Sequence, residues 1–99
     1  MVRHIVAWSF ADNISDEQNR KNALKIKADL EGLSGVIEGL VSIRVIISPL
    51  ETSTRNIILE SVFDSKAALS GYQEHPSHKR AGVFINEVMK NKTCIDFEE

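Results

Sequence analysis

Residues 41–63, VSIRVIISPLETSTRNIILESVF, decide the fold because they predict two consecutive strands in the middle of the chain. Apolar side chains alternate along residues 41–48, and Pro49, which has no N–H for a sheet ladder, ends this strand. A polar loop at residues 51–54 leads to a second alternating run at residues 56–63. The pattern therefore predicts two successive strands with no helix between them.

A strand and a helix precede this pair. Residues 2–10, VRHIVAWSF, alternate along an extended chain, but neither face is strongly polar, so both faces are expected to be covered. Ser15, with Gln18 three residues later, forms a capping-box pattern that begins a helix. Apolar residues then follow at steps of three and four and predict a helix that ends near residue 33: Ala23, Ile26, Leu30 and Leu33.

A second helical region and a last strand follow the central pair. Asp64 is expected to cap a short helix, Pro76 interrupts the helical pattern, and a second helical piece runs to about Lys90. Residues 93–97 predict the last strand. The order β-α-β-β-α-β is that of an α+β, ferredoxin-like unit, an antiparallel sheet with helices on one face. Residues 1–99 are expected to form a single domain.

The composition excludes several classes of protein. Twelve basic and 14 acidic residues leave a net charge of −2, with a pI near 5.9. A nucleic-acid-binding surface usually shows as a basic patch with a high pI, so nucleic-acid binding is not expected. No apolar run approaches the ~20 residues that span a bilayer, and because the first residues already have a strand pattern, no signal peptide is expected. A cytoplasmic protein with no membrane partner is predicted.

Apolar side chains on the sheet face away from the helices predict self-association. Helices would cover one face of the sheet, yet at least three strands carry apolar residues on the other face as well. A large exposed apolar patch usually marks an interface, and two-fold dimers are the commonest oligomers. The simplest prediction is a homodimer in which the two sheets pack face to face.

Three histidines and a tyrosine are the candidate functional groups. Tyr72, His75 and His78 lie close together in the sequence, and His4 shares a face of the first strand with Trp8. A strand residue beneath the second helical region can meet Tyr72 and His78 in an apolar pocket. Imidazole suits proton transfer near neutral pH, and a phenol can donate a hydrogen bond to a developing enolate or oxyanion. Structural alternatives stay open, with the histidines and Tyr72 as core or turn residues and Trp8 as part of the core or a cavity wall.

No metal, cofactor or nucleotide is expected from the local sequence. The spacing from His75 to His78 hints at metal binding, but no carboxylate or thiol stands at ligand spacing beside them. A protein zinc site needs three or four ligands. Cys94 is the single cysteine, so it cannot form an internal disulfide, and it is predicted to be a small apolar filler on the last strand. The glycines form neither a GxGxxG nor a Walker pattern, so nucleotide binding is unsupported.

Three stretches of the chain resemble the stress-responsive dimeric α/β-barrel (Dabb) domain family. They are the opening VRHIVAWSF, the middle segment FDSKAALSGYQEHPSHKRAGVFI and the ending CIDFEE. The most specific element is Tyr72, His75-Pro76 and His78 together with His4 early in the first strand. The resemblance implies ferredoxin-like subunits whose sheets pair face to face into a barrel at the dimer interface.

The resemblance extends to the olivetolic acid cyclase type within that family, a plant polyketide cyclase. That enzyme closes a linear tetraketide thioester by an aldol condensation, without metal or organic cofactor. The implied roles here are His78 as general base, with Tyr72 and His4 orienting the substrate and stabilising charge; His75 and Trp8 are candidate ligand-binding residues. The function predicted is binding of a small hydrophobic or aromatic carbonyl compound, with cofactor-free acid–base chemistry. Two alternatives remain, a non-enzymatic stress or structural dimer and a cofactor-independent monooxygenase, because that enzyme class shares the barrel architecture.

Overall fold

The computed structural model describes residues 1–99 as four strands and three helices. In chain order these are β1 (Val2–Phe10), α1 (Asp16–Glu31), β2 (Leu40–Ile46), β3 (Ile57–Phe63), α2 (Lys66–Glu74), α3 (Pro76–Val88) and β4 (Met89–Glu98). The strands form one antiparallel sheet in the order β2-β3-β1-β4. This is the predicted ferredoxin-like arrangement, with the second helical region divided into two helices at Pro76.

The core lies between one face of the sheet, here called the inner face, and the three helices. Alternate residues of β1 and β3 point into it, as their regular burial pattern shows. The helices contribute the opposing side chains, and several residues of both layers are almost completely buried: Val6, Ile26, Leu30, Val45, Leu59, Phe63 and Tyr72. Burial of such side chains stabilises the fold by about 1.5–3 kcal/mol each.

Helix α1 begins at the predicted cap, but the capping box is only half formed. The Ser15 hydroxyl accepts a hydrogen bond from the backbone N–H of Gln18 at 3.2 Å. The Gln18 side chain does not return to Ser15; its amide donates to Asn22 Oδ1 at 2.8 Å, one turn further along the helix. The cap therefore depends on the serine alone.

Three predicted boundaries in the second half of the chain differ from the structure. The N-cap of α2 is Ser65, not Asp64, and the Ser65 hydroxyl accepts from Ala68 N at 3.1 Å. Helix α3 ends at Val88 and not near Lys90, and β4 begins at Met89 and not at residue 93. The early start has a tertiary cause, because Met89 and Lys90 pair with the last residues of β1 across a bulge.

The outer face of the sheet carries no helix and presents a patch of apolar side chains next to charged ones. Ile5 and Ile95 are register partners on this face, and Phe97 lies opposite Arg3. Ile95 is 52% exposed and Phe97 45% exposed. Val62 and Ile58 of β3 extend the same surface, with the Arg44–Glu60 ion pair at the β2 edge. No helix of the protein has the length and apolar character that a membrane crossing requires.

Candidate active site

A cavity of about 200 Å³ lies between the inner face of the sheet and helices α2 and α3, and we call it the sheet–helix cavity. Four of the five site residues predicted from the sequence line it: His4, Trp8, Tyr72 and His78. A larger and more open depression of about 480 Å³ lies between α1 and α3, but none of the histidines and no tyrosine lines it. The candidate chemistry is therefore concentrated in the sheet–helix cavity.

His4 is held on the central strand β1 and is only 4% exposed. Its partner is Asp96 on β4, and the register that pairs these two residues brings the imidazole Nδ1 within 2.5 Å of the carboxylate Oδ1. The backbone carbonyl of His4 accepts a hydrogen bond from the Ser61 hydroxyl at 2.8 Å. The carboxylate can only accept, so His4 Nδ1 carries a proton in this hydrogen bond.

Tyr72 and His78 meet because the chain bends between their two helices. Tyr72 lies in the last turn of α2 and His78 in the first turn of α3, on either side of Pro76. Their ring centroids are 4.3 Å apart. The Tyr72 ring also lies edge-on to His4, with centroids 6.0 Å apart. A proline at the first position of a helix is well tolerated, so this tight junction carries little strain.

Burial sets the protonation states of this pair. It raises the pKa of the Tyr72 phenol well above its ordinary value of 10.0, so the hydroxyl stays protonated and can donate. Burial also lowers the pKa of His78 from 6.5, so the imidazole is neutral at physiological pH. A backbone interaction with Gln73 opposes this lowering of the His78 pKa, and the nearby positive charge of Lys92 acts in the same direction as burial. The site thus combines a neutral base with a phenolic hydrogen-bond donor.

Two polar atoms of this pair have no hydrogen-bond partner within the protein. They are the Tyr72 hydroxyl oxygen and His78 Nδ1, and both are buried. Buried polar atoms are nearly always paired, because leaving one unpaired costs about 1–3 kcal/mol. Both residues line the same cavity, so a polar group placed there would satisfy them.

The structure does not bring His75 into the sheet–helix cavity. His75 is the N-cap of α3, and its Nδ1 accepts a hydrogen bond from Ser77 N at 3.1 Å. An acceptor at this position satisfies a helix N–H that has no partner within the helix. Its position before Pro76 thus reflects helix initiation.

Sequence reasoning missed two residues that adjoin His4. Cys94, predicted to be an apolar filler, is instead exposed and lines the cavity, with its Sγ 3.8 Å from His4 Nδ1. Asp96 is the partner of His4 described above. Alternation placed Cys94 and Asp96 on one face of the last strand, but only the strand register places that face beside His4.

The family model for the stress responsive A/B barrel domain matches residues 2–99. The chain belongs to this family. No curated protein shows a significant match to the sequence. The family assignment agrees with the resemblance seen in the opening, middle and ending segments.

Solved structures similar to this family member include dimers with the same fold. A dimeric protein with a ferredoxin-like fold from Bacteroides fragilis has a TM-score of 0.91 and 30% identity, over 99% of this chain and 95% of that chain. A dimeric ferredoxin-like protein from Jannaschia has a TM-score of 0.81 and 24% identity, over 99% and 98% of the two chains. The hydroxynitrile lyase from Passiflora edulis has a TM-score of 0.77 and 17% identity, over 97% and 90%. This last similarity shows the shared fold alone.

Proposed function

We propose that the sheet–helix cavity binds a small hydrophobic or aromatic carbonyl compound and catalyses proton transfer at the carbon next to the carbonyl group. The chemistry is acid–base and uses no cofactor, as in the first step of a cyclase-like aldol ring closure. The observation that carries the proposal is the pair of buried, unpartnered polar atoms, Tyr72 Oη and His78 Nδ1, at one cavity. A carbonyl group and its neighbouring C–H bond present an acceptor and a proton to such a pair.

His78 is the proposed general base. Its neutral imidazole takes the proton from the α-carbon, and the C–H electron pair moves into the carbonyl group to form an enolate. Tyr72 donates a hydrogen bond to the enolate oxygen, where negative charge develops. In a ring closure the enolate carbon attacks a second carbonyl carbon of the same molecule, a C–C bond forms, and the new alkoxide takes the proton back from His78.

His4 and Trp8 have supporting roles in this proposal. The Asp96 carboxylate accepts from the Nδ1–H of His4 and so orients the ring, which leaves Nε2 to accept a hydrogen bond from the bound molecule. Trp8, 6% exposed, forms part of the cavity wall and suits an aromatic or apolar ligand. The hydroxynitrile lyase from Passiflora edulis has the same fold, so this architecture hosts a lyase in at least one other protein.

Deuterium exchange into acetophenone tests the proposal without knowledge of the natural substrate. The methyl protons next to the carbonyl group exchange with D₂O when a base removes them, and ¹H NMR follows their loss. The protein is expected to accelerate the exchange, and His78→Ala is expected to reduce the rate by about 10²–10⁴-fold. Sedimentation velocity shows whether the His78→Ala variant has the same oligomeric state as the wild-type protein.

His75→Asn is the matched control for this experiment. Asparagine is a good N-cap, so the substitution keeps the start of α3 while it removes a histidine outside the cavity. The control is expected to retain the wild-type rate. Full retention of exchange by His78→Ala, with the assembly intact, would show that His78 is not the base. If the wild-type protein binds acetophenone without accelerating exchange, a non-enzymatic binding or stress-related role replaces the enzymatic one.

We also propose that the outer face of the sheet is the interface of a homodimer. Ile5, Ile95 and Phe97 form an apolar surface that no helix covers, and similar solved structures are described as dimeric. Such surfaces usually mark interfaces.

Placing a carboxylate there by Ile95→Glu is expected to convert the dimer to monomer in sedimentation equilibrium. Leu24→Glu on α1, where Leu24 is 59% exposed, is the control expected to leave the dimer intact. A dimer that survives Ile95→Glu unchanged would place the interface elsewhere.

A further inference from the structure

We propose that His4, Cys94 and Asp96 form a binding site for a zinc-like divalent cation at the edge of the sheet–helix cavity. One ligand atom from each residue lies within 4.8 Å of the other two. The set combines an imidazole nitrogen, a thiol sulfur and a carboxylate oxygen, the three ligand types that Zn²⁺ binds in proteins. The inference goes beyond the proposed acid–base function, and in the metal-bound form the ion replaces the hydrogen bond between His4 and Asp96.

The register of the central strand creates this cluster. β1 and β4 are antiparallel neighbours in which Val6 pairs with Cys94 and His4 pairs with Asp96. Residues two apart on a strand share a face, so Cys94 and Asp96 both project on the inner face beside the imidazole. The sequence-based expectation of no metal site considered only local spacing, and it missed ligands that the sheet brings together from opposite ends of the chain.

Two of the three ligand separations already fit tetrahedral zinc. Zinc bonds to sulfur are about 2.3 Å long and those to nitrogen or oxygen about 2.1 Å. In a tetrahedral site these lengths place a sulfur ligand about 3.6 Å from a nitrogen or oxygen ligand, and a nitrogen ligand about 3.4 Å from an oxygen ligand. The observed separations are 3.8 Å from Cys94 Sγ to His4 Nδ1 and 3.6 Å from Cys94 Sγ to either Asp96 oxygen. The distance from Nδ1 to Asp96 Oδ1, 2.5 Å, is that of a hydrogen bond and must increase on binding.

The side chain that must move is free to do so. Asp96 is 40% exposed, whereas the His4 side chain is only 5% exposed and remains fixed by the core. A change of the Asp96 rotamer can therefore open the space for the ion. On binding, the Cys94 thiol loses its proton to solvent, and His4 binds through Nδ1 as a neutral imidazole whose proton is on Nε2. The thiolate and the carboxylate then balance the two positive charges of the cation.

Three protein ligands leave one tetrahedral position for a molecule that is not part of the protein. Zinc sites with three protein ligands and an open fourth position are those that bind water or substrate. His4 and Cys94 are also part of the cavity wall, which places this position next to the cavity. We infer that an oxygen or sulfur atom of a molecule in the cavity, or water, completes the site.

Cobalt substitution tests the site with a spectroscopic signal that does not need turnover. Co²⁺ is titrated into chelator-treated protein, and Zn²⁺ is then added to displace it. Intense visible d–d bands, a near-ultraviolet thiolate-to-cobalt charge-transfer band and one ion per chain are expected. Cys94→Ser is expected to abolish the charge-transfer band, and both Cys94→Ser and Asp96→Asn are expected to weaken Co²⁺ binding by on the order of 100-fold.

His75→Asn is again the control, since His75 lies outside the cluster, and it is expected to bind Co²⁺ like the wild type. Cys94 and Asp96 are both exposed, so their substitution is expected to be compatible with folding, and circular dichroism of each variant tests this. Wild-type protein that binds no Co²⁺ stoichiometrically, or Cys94→Ser and Asp96→Asn variants that bind as tightly as wild type, would overturn the inference. Neither result would affect the deuterium-exchange test of His78.

Discussion

Replacing Tyr72 by phenylalanine is expected to stabilise the free protein while it impairs catalysis. The side chain is fully buried, and its hydroxyl has no hydrogen-bond partner within the protein. Phenylalanine keeps the ring and its contacts with Phe63 and His78 but removes the oxygen. The substitution therefore isolates the contribution of one hydroxyl group.

The two expected effects of Tyr72→Phe have opposite signs and different sizes. An unpaired buried hydroxyl costs about 1–3 kcal/mol, and water entering the cavity relieves part of this, so a gain of about 1 kcal/mol is expected. In a domain of this size that gain raises Tm by about 4–8 °C. Loss of a donor to a developing oxyanion reduces turnover by about 10²–10³-fold, which corresponds to about 3–4 kcal/mol of transition-state stabilisation.

Urea unfolding and acetophenone exchange measure the two effects on the same samples. Phe63→Leu is the matched control, because Phe63 is equally buried but is not part of the cavity wall. It is expected to lose about 1 kcal/mol of stability and to keep the exchange rate. A destabilised Tyr72→Phe variant would mean that the hydroxyl has a partner in the folded protein. An unchanged exchange rate would remove Tyr72 from the mechanism.

Three further predictions concern pH, a helix cap and a glycine. The pKa of His78 is lowered in the folded protein, so the unfolded chain takes up the proton first as the pH falls. The free energy of unfolding, measured with urea, is therefore expected to fall as the pH drops below about 6.5. This fall is expected to be smaller in the His78→Gln variant. Ser65→Ala is expected to cost about 1 kcal/mol in the same assay, and more than Asp64→Ala, since Ser65 is the cap. Gly39→Ala is expected to lower the Tm more than Gly35→Ala does. Both glycines have positive φ, but only at Gly39 would an added Cβ lie 2.4 Å from another side chain. Equal losses at the two glycines would contradict the steric argument.

Local sequence patterns were sufficient to predict most of the fold. Alternation along residues 2–10 and 56–63 gives the central strands to within a residue, because one face of each strand had to be apolar. The start of β4 could not be predicted in this way. Met89 and Lys90 carry no alternating pattern, and they become extended because β1 offers them hydrogen-bond partners.

The sequence predicted the types of chemical group in the candidate site, but only some of the residues that form it. Tyr72 and His78 lie close together in the sequence, so a helix break between them was enough to suggest that they meet. The sequence did not indicate that His75 lies outside the cavity, because a histidine before a proline can cap a helix as well as bind a ligand. Sequence proximity does not distinguish a side chain that points into a cavity from one that faces the helix backbone.

The sequence by itself determined the strand and helix order, the apolar faces and the types of group available for proton transfer. These properties depend on side-chain periodicity and composition, which are local. Only the tertiary structure decided that Asp96 and Cys94 lie beside His4, because these contacts depend on the register between two strands from opposite ends of the chain. Tertiary packing also decided the protonation states of Tyr72 and His78, since both follow from burial between sheet and helices.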